Sequence, residues 1–231
     1  MHEGILPIYK PVFKTSFSLV SVLRKLTAIR TIGHAGTLDP FAEGVMTLLI
    51  GRPYTKLSNQ FLLQDKEYYA TMHLGIVTDT YDIEGQIIAQ NPFIPSLTEI
   101  ENVLQGFQGT ILQIPPMFSA KKVQGKKLYE LARKGVTIER QAVPVTLHIE
   151  ILDYSYPHLK LKVTCSKGTY IRSLAYDIGQ ELTCGDHLSS LIRTRSGPFN
   201  IENCCDGARL LESDYDWTRY IKKQINHVIN H

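Results

Sequence analysis

The chain has 231 residues, 43% of them hydrophobic and 20% charged, which is the balance of an ordinary globular protein with a sizeable core. No run approaches the ~18–20 uncharged apolar residues that cross a bilayer, and the N-terminus, MHEGILPIYKP, has no basic segment leading into an apolar one. This excludes a transmembrane helix and a secretory signal, and the expected location is the cytoplasm. Net charge is +3 but unevenly spread: residues 121–140 carry seven cationic residues against two acidic ones, while residues 65–102 carry seven acids and only Lys66. Such polarity reads equally as a basic face for polyphosphate and as a solvated helix surface. The four cysteines, Cys165, Cys184, Cys204 and Cys205, form no C-x-x-C pair, and no histidine cluster has zinc-finger spacing. A disulfide between neighbours is strained, so reduced thiols are expected.

In chain order, Leu19, Val22, Leu23 and Leu26 recur at helical spacing after the candidate caps Ser16 and Ser18, predicting an amphipathic helix over 18–28. Residues 67–75 alternate, with Tyr68, Ala70, Met72 and Leu74 on one face, and predict a strand, with 86–89 as its partner. Thr98 and Glu101 have the spacing of a capping box before a helix that ends near Gly106. Lys126–Lys134 reads as a helix stopped by Gly135. Two β-rich runs, 143–155 and 159–165, predict an antiparallel hairpin about Tyr156-Pro157-His158. After the turn Ser166-Lys167-Gly168, a helix face follows at Ile171, Leu174, Ala175, Ile178 and Leu182. Near the end, Ser213 reads as the cap of a helix carrying Trp217, Tyr220, Ile221, Ile225 and Val228. Strands and helices mix without β-α-β alternation, so the fold class is α+β with a mainly antiparallel, mixed sheet flanked by helices.

The usual catalytic motifs are missing. There is no P-loop, no dinucleotide fingerprint and no nucleophile elbow. The acidic loop DTYDIEG (79–85) fails as a calcium loop, because Tyr81 and Gln90 stand where ligands belong. Any chemistry falls to carboxylate, Tyr, Arg and His without a cofactor. The stretch GHAGTLDPFAEGVM (33–46) holds a lone aspartate, Asp39, against Pro40. Pro40 biases Asp39 toward extended backbone and is welcome as a first helical residue, so Asp39 reads as the N-cap of a helix starting at Pro40. It reads equally as a carboxylate held toward a ligand by close backbone at Gly33 and Gly36.

GHAGTLDPFAEGVM resembles the catalytic motif of the TruB family of pseudouridine synthases, G-H-x-G-x-L-D-P-x-A-x-G. KEYYATMHLG (66–75), IPPMFSAKKVQGKKLYELARKG (114–135), CSKGTYIRSLAYDIG (165–179) and LSSLIRTRSGPF (188–199) resemble further blocks of that family, in its order. The N-terminal pattern K-P-x-G-x-[TS]-S departs from it, with Phe13 in the glycine position.

The resemblance implies one pseudouridine synthase-like catalytic domain over residues 1–231, with core motifs at 4–200, a C-terminal helical segment at 201–231 and no PUA-type RNA-binding domain. It implies an enzyme that isomerises the T-loop uridine of tRNA (position 55) without cofactor or metal. The T-arm is the implied partner of a monomer with no obligatory protein partner and no membrane contact. Asp39 is the implied reacting carboxylate, as nucleophile or as trigger of glycal formation. Arg172 is its implied partner, and Tyr68 packs on the base and is a candidate for C5 deprotonation. Tyr170 and Leu191 line the implied base pocket, and His34 fills the gap left by the flipped uridine. Lys10, Lys121 and Lys127 are the implied RNA-binding cations. The alternatives are an RNA-guided relative working in a protein–RNA particle and a non-catalytic RNA-binding or tRNA-folding protein.

Overall fold

The computed structural model describes residues 2–119, 122–123, 125–132, 135–136 and 138–223. In chain order the first elements are β1 (Gly4–Lys10), α1 (Ser16–Thr27), β2 (Ile32–Ala35), β3 (Glu43–Ile50), α2 (Arg52–Thr55), α3 (Ser58–Leu62), β4 (Lys66–Leu74), β5 (Ile76–Thr78) and β6 (Ile87–Gln90). Then come α4 (Leu97–Gln105), β7 (Gly109–Gln113), β8 (Lys122–Val123), β9 (Lys126–Lys127), α5 (Leu128–Ala132), β10 (Val143–Ser155) and β11 (His158–Cys165). The last are α6 (Ile171–Glu181), β12 (Asp186–Ser196), β13 (Phe199–Asn200) and β14 (Cys205–Asp206), with 3-10 turns at Ile201–Asn203 and Trp217–Tyr220. The expected α+β class holds. The chain forms two compact units, one of residues 1–68 and 191–231, the other of residues 69–190.

In the first unit, β3 pairs with β1 antiparallel from Gly4↔Ile50 to Lys10↔Gly44, with β2 antiparallel, and with β12 in parallel at Arg193↔Gly44. The β3 sequence EGVMTLLI is apolar nearly throughout, which suits a strand covered on both faces. Its alternate residues serve two cores. Met46, Leu48 and Ile50 join Leu6, Ile8 and α1 on one side, whereas Val45 and Leu49 join Ile5, Phe61 and Phe199 on the other. Each such buried side chain stabilises by about 1.5–3 kcal/mol.

α1 begins two residues earlier than its periodicity suggests. Thr15 is the cap, its Oγ1 accepting from the Ser18 N–H at 3.0 Å, and the apolar stripe is rotated to Leu19, Val20 and Leu23, leaving Leu26 exposed. No α-helix starts at Ser213 among the described residues. Asp216 caps only the turn Trp217–Tyr220, and the chain then extends so that Lys222 exchanges backbone hydrogen bonds with Ile5 (2.9 and 2.8 Å). Ile225 and Val228 lie outside the described residues.

In the second unit, β4, β11, β10 and β7 are successive neighbours, with β10–β11 and β10–β7 antiparallel. The predicted hairpin is present, with a shorter turn, because His158 pairs with Ser155. Ala70, Met72, Leu161, Val163, Leu174 and Ile178 meet where α6 covers β4 and β11. The strand predicted at 86–89 pairs with β5, as Ile76↔Gln90, instead of with β4. The capping box lies two residues upstream of the expected one: Ser96 Oγ accepts from the Glu99 N–H, and the Glu99 carboxylate accepts from the Ser96 N–H. Both pairs have the same spacing, so local pattern alone does not separate them. The helix expected over 126–134 is shortened to α5, because Lys122–Val123 and Lys126–Lys127 pair as a hairpin about Gly125. Gly135 has φ +69 and its N–H on the Ala132 carbonyl, and residues 133–134, where the expected helix end falls, lie outside the described residues.

Candidate active site

Asp39 caps nothing. The residues after it form a tight turn, Ala42 N–H to Asp39 O at 3.2 Å, and lead into β3, so the helix-cap reading of Asp39 is overturned. The loop between β2 and β3 is held from several directions. On one side of Asp39, the Leu38 N–H donates to Ser16 Oγ and the same hydroxyl donates to the Leu38 carbonyl, both at 3.1 Å. On the other side, the Pro40 carbonyl accepts from the Phe13 N–H at 2.7 Å and from Lys10 Nζ at 3.3 Å. Ser16, read as a cap from sequence, is buried here and locks the loop instead. A carboxylate whose two neighbours are fixed this way is preorganised for one geometry.

Arg193 completes the loop and went unassigned in the sequence, although it is the arginine of LSSLIRTRSGPF. It is 1% exposed. Its Nε donates to the Val45 carbonyl at 2.6 Å, Nη2 to Gly36 at 3.1 Å and Nη1 to Thr37 at 3.5 Å. Gly44 lets the two strands approach this closely, because a Cβ there would lie 2.3 Å from the Arg193 carbonyl oxygen at φ +112. A signal did exist: Leu191 and Arg193 share the buried face of β12 at a spacing of two, and an inward arginine on a strand needs acceptors.

His34 lies in β2, with Nδ1 buried and without a hydrogen-bond partner. Burial first, and then the charge of Arg193, lower its pKa and favour the neutral ring. Lys10 departs from its expected role. It is fully buried, and its ammonium donates to the carbonyls of Pro11, Lys14 and Pro40, so it ties two loops together and does not present charge to solvent. Tyr68 and Leu191 are buried members of β4 and β12.

In the second unit, the start of α6 brings Tyr170 and Arg172 together. The Tyr170 backbone is clamped by fully buried Gln113, whose Oε1 accepts from the Tyr170 N–H at 2.8 Å and whose Nε2 donates to its carbonyl at 3.1 Å. Arg172 sits 3.3 Å from Asp82, both side chains being almost fully buried. It also donates to the carbonyls of Phe118 (2.7 Å) and Thr80 (3.3 Å). Asp82 accepts in turn from Thr80 Oγ1 at 2.6 Å and from the Glu84 N–H at 3.1 Å. DTYDIEG is therefore a loop folded about one carboxylate that faces an arginine. Asp82 was missed in the sequence, and its signal is the requirement that a buried arginine have a counter-charge. Lys121 lies outside the described residues, and Lys127 is described through its backbone pairing with Lys122. No group of three or more metal-binding side chains occurs among the described residues.

The family model for the TruB family pseudouridylate synthase N-terminal domain matches residues 24–171, and that for the tRNA pseudouridylate synthase B C-terminal domain matches residues 172–230. The chain is 62% identical over 208 residues to a protein named tRNA pseudouridine synthase B from Protochlamydia amoebophila (strain UWE25), covering 90% of this chain and 79% of that one. It is 54% identical over 222 residues to a protein of the same name from Chlamydia pneumoniae, covering 96% and 94%. Among solved structures, a chain in the crystal structure of a Cbf5-Nop10-Gar1 complex superposes with a TM-score of 0.73 at 27% identity, covering 96% of this chain and 60% of that one. A chain of an H/ACA RNP bound to a substrate RNA containing 2'-deoxyuridine gives 0.69 at 26%, covering 96% and 59%. The aspartate loop, the inward arginine behind it and a 62% identical relative along nine-tenths of the length lead to one statement: the chain belongs to the TruB family of pseudouridine synthases.

Proposed function

We propose that this chain isomerises the T-loop uridine of tRNA (position 55) to pseudouridine, with Asp39 as the reacting carboxylate and no cofactor. The observation that carries this reading is the Asp39 loop: it caps no helix, yet its neighbours are anchored by Ser16, Lys10, Phe13 and Arg193. So much anchoring around a carboxylate that starts no helix suits chemistry at that carboxylate.

In the reaction the N1–C1′ bond breaks, the uracil turns and C5–C1′ forms; C5 loses a proton and N1 gains one. Glycosidases use two carboxylates to protonate a leaving group and to attack or activate water. Uracil leaves as a delocalised anion and water must stay out, so one carboxylate suffices. Asp39 serves as nucleophile at C1′ or as trigger of glycal formation. Arg172, which Asp82 holds, is the arginine assigned to this reaction. Tyr68 packs on the base and is the candidate for taking the C5 proton, and Tyr170 and Leu191 line the base pocket. The uridine must leave its stack to react, and neutral His34 fills the gap. Lys10 acts by holding the loops; Lys121 and Lys127 contact phosphate. The chain works as one catalytic domain, a cytoplasmic monomer.

The test is Asp39→Asn beside wild type on a T-arm transcript, with pseudouridine scored by mass spectrometry and thermal melts in parallel. Loss of product with unchanged melting supports the chemical role. Product retained by the variant removes it. The likeness to a chain of an H/ACA RNP favours a second reading, an RNA-guided enzyme; wild-type activity on naked T-arm RNA rules that out as a requirement.

A further inference from the structure

We propose that Phe13 is a stacking platform for an unpaired base of the RNA substrate, beside the uridine that reacts; this rests on the reading of the chain as an enzyme acting on RNA. Phe13 stands where the family pattern has glycine, and it adopts a glycine's backbone, with φ +58. A bulky residue in the left-handed region is strained. No burial offsets that strain, since the side chain is 68% exposed. Neither core packing nor loop geometry accounts for a phenylalanine here, because glycine serves the loop better.

The ring is tied to the catalytic loop through its own backbone. The Phe13 N–H donates to the Pro40 carbonyl at 2.7 Å, one residue from Asp39. Lys10 binds the carbonyls on both sides of Phe13, Pro11 at 2.9 Å and Lys14 at 2.7 Å, together with Pro40. A base resting on this ring is thereby registered to the aspartate.

The surroundings suit a nucleic-acid strand. Phe17, four residues on and in the first turn of α1, is 60% exposed, and the Arg24 guanidinium lies 5.6 Å from its ring centroid. Residues 4–38 contain five lysines and arginines and no carboxylate, and Lys14, Arg24, Lys25 and Arg30 are exposed. The first turn of α1 carries no acid, so its positive end is not offset by a charged side chain. Exposed aromatic faces among uncompensated cations are how proteins hold unpaired bases while steering the phosphates that flank them.

The experiment compares wild type, Phe13→Gly and Phe13→Trp. Each is titrated with the T-arm stem-loop carrying 2-aminopurine at single loop positions, and pseudouridine formation is followed over a range of RNA concentrations. Glycine is the backbone-compatible choice, so Phe13→Gly melts at or above wild type. The expected result is a Kd and KM for Phe13→Gly raised roughly 5- to 100-fold, the loss of one base–aromatic stack. Quenching of 2-aminopurine at one loop position is lost with it, and both are restored in Phe13→Trp. The slope of log Kd against log salt stays the same for Phe13→Gly and shallows for Lys14→Ala. Wild-type binding and quenching in Phe13→Gly overturn the proposal, as does a change confined to self-association of the protein. If wild type binds the RNA and makes no pseudouridine, the functional reading fails while the stacking result still stands or falls on the titration.

Discussion

The guanidinium of Arg193 donates to the carbonyl of Gly36 at 3.1 Å, joining β12 to the start of the loop that carries Asp39. Its other bonds, to Val45 and Thr37, make one side chain the strut for both ends of that loop. Arg193→Lys keeps the charge but loses the fork, so the loop shifts while the buried cation keeps part of its solvation. We expect kcat on T-arm RNA to fall about 100-fold, as misplacing a reacting group by about 1 Å does. The Kd for RNA should change less than threefold, an order-of-magnitude expectation for a residue that supports the loop from behind. Single-turnover rates and filter binding separate the two quantities; an Arg193→Lys enzyme with wild-type kcat sinks the strut assignment.

Asp82 and Arg172 are a buried pair, and removing one member takes an ionic partner from the other. Asp82→Asn is expected to destabilise by about 3–5 kcal/mol in urea unfolding. The double variant Asp82→Asn with Arg172→Gln should recover part of that loss, giving a coupling energy of about 0.5–3 kcal/mol. Strict additivity of the two single variants contradicts the pairing.

Asp186 is fully buried, and neither of its carboxylate oxygens has a hydrogen-bond partner. Burial first, and then the charge of Asp177, push its pKa well above the ordinary value of 3.8. Burial and Glu181 push Asp177 up to about 6. The sign follows from the proton count. Above pH 3.8 the unfolded chain has released the Asp186 proton, while the folded chain still holds it. Stability therefore falls as pH rises from there to the raised folded value, by about 1.4 kcal/mol per pH unit for one such group. Asp186→Ala removes this dependence, so its stability relative to wild type should rise as the pH is raised from 5 toward 8. Denaturation across that range checks it; parallel curves for the two proteins contradict the buried-acid account.

Gln113 clamps the Tyr170 backbone with two hydrogen bonds at the start of α6. Gln113→Ala takes this acceptor from the Tyr170 N–H, at about 1–3 kcal/mol, while the Tyr170 carbonyl keeps the Leu174 N–H at 3.0 Å. Hydrogen exchange at the Tyr170 amide should accelerate together with this loss of stability. Unchanged protection means that water replaces the clamp.

Local pattern located most elements and misplaced their ends. The period of two in Tyr68, Ala70, Met72 and Leu74 marked β4 because alternation is a property of neighbouring residues. The choice of Thr98 over Ser96 as a cap, and of β4 over β5 as the partner of β6, failed because several local solutions satisfy the same spacing and packing selects one.

By itself the sequence determined the α+β class, the family and Asp39 as the residue to watch, since those rest on composition, periodicity and contiguous motifs. Only the tertiary structure decided that Asp39 caps no helix, that Lys10 turns inward and that Asp82 faces Arg172. The last two relationships join residues far apart along the chain. Their energy comes from excluding water around buried charges and backbone carbonyls, a condition that exists only once the distant segments have packed.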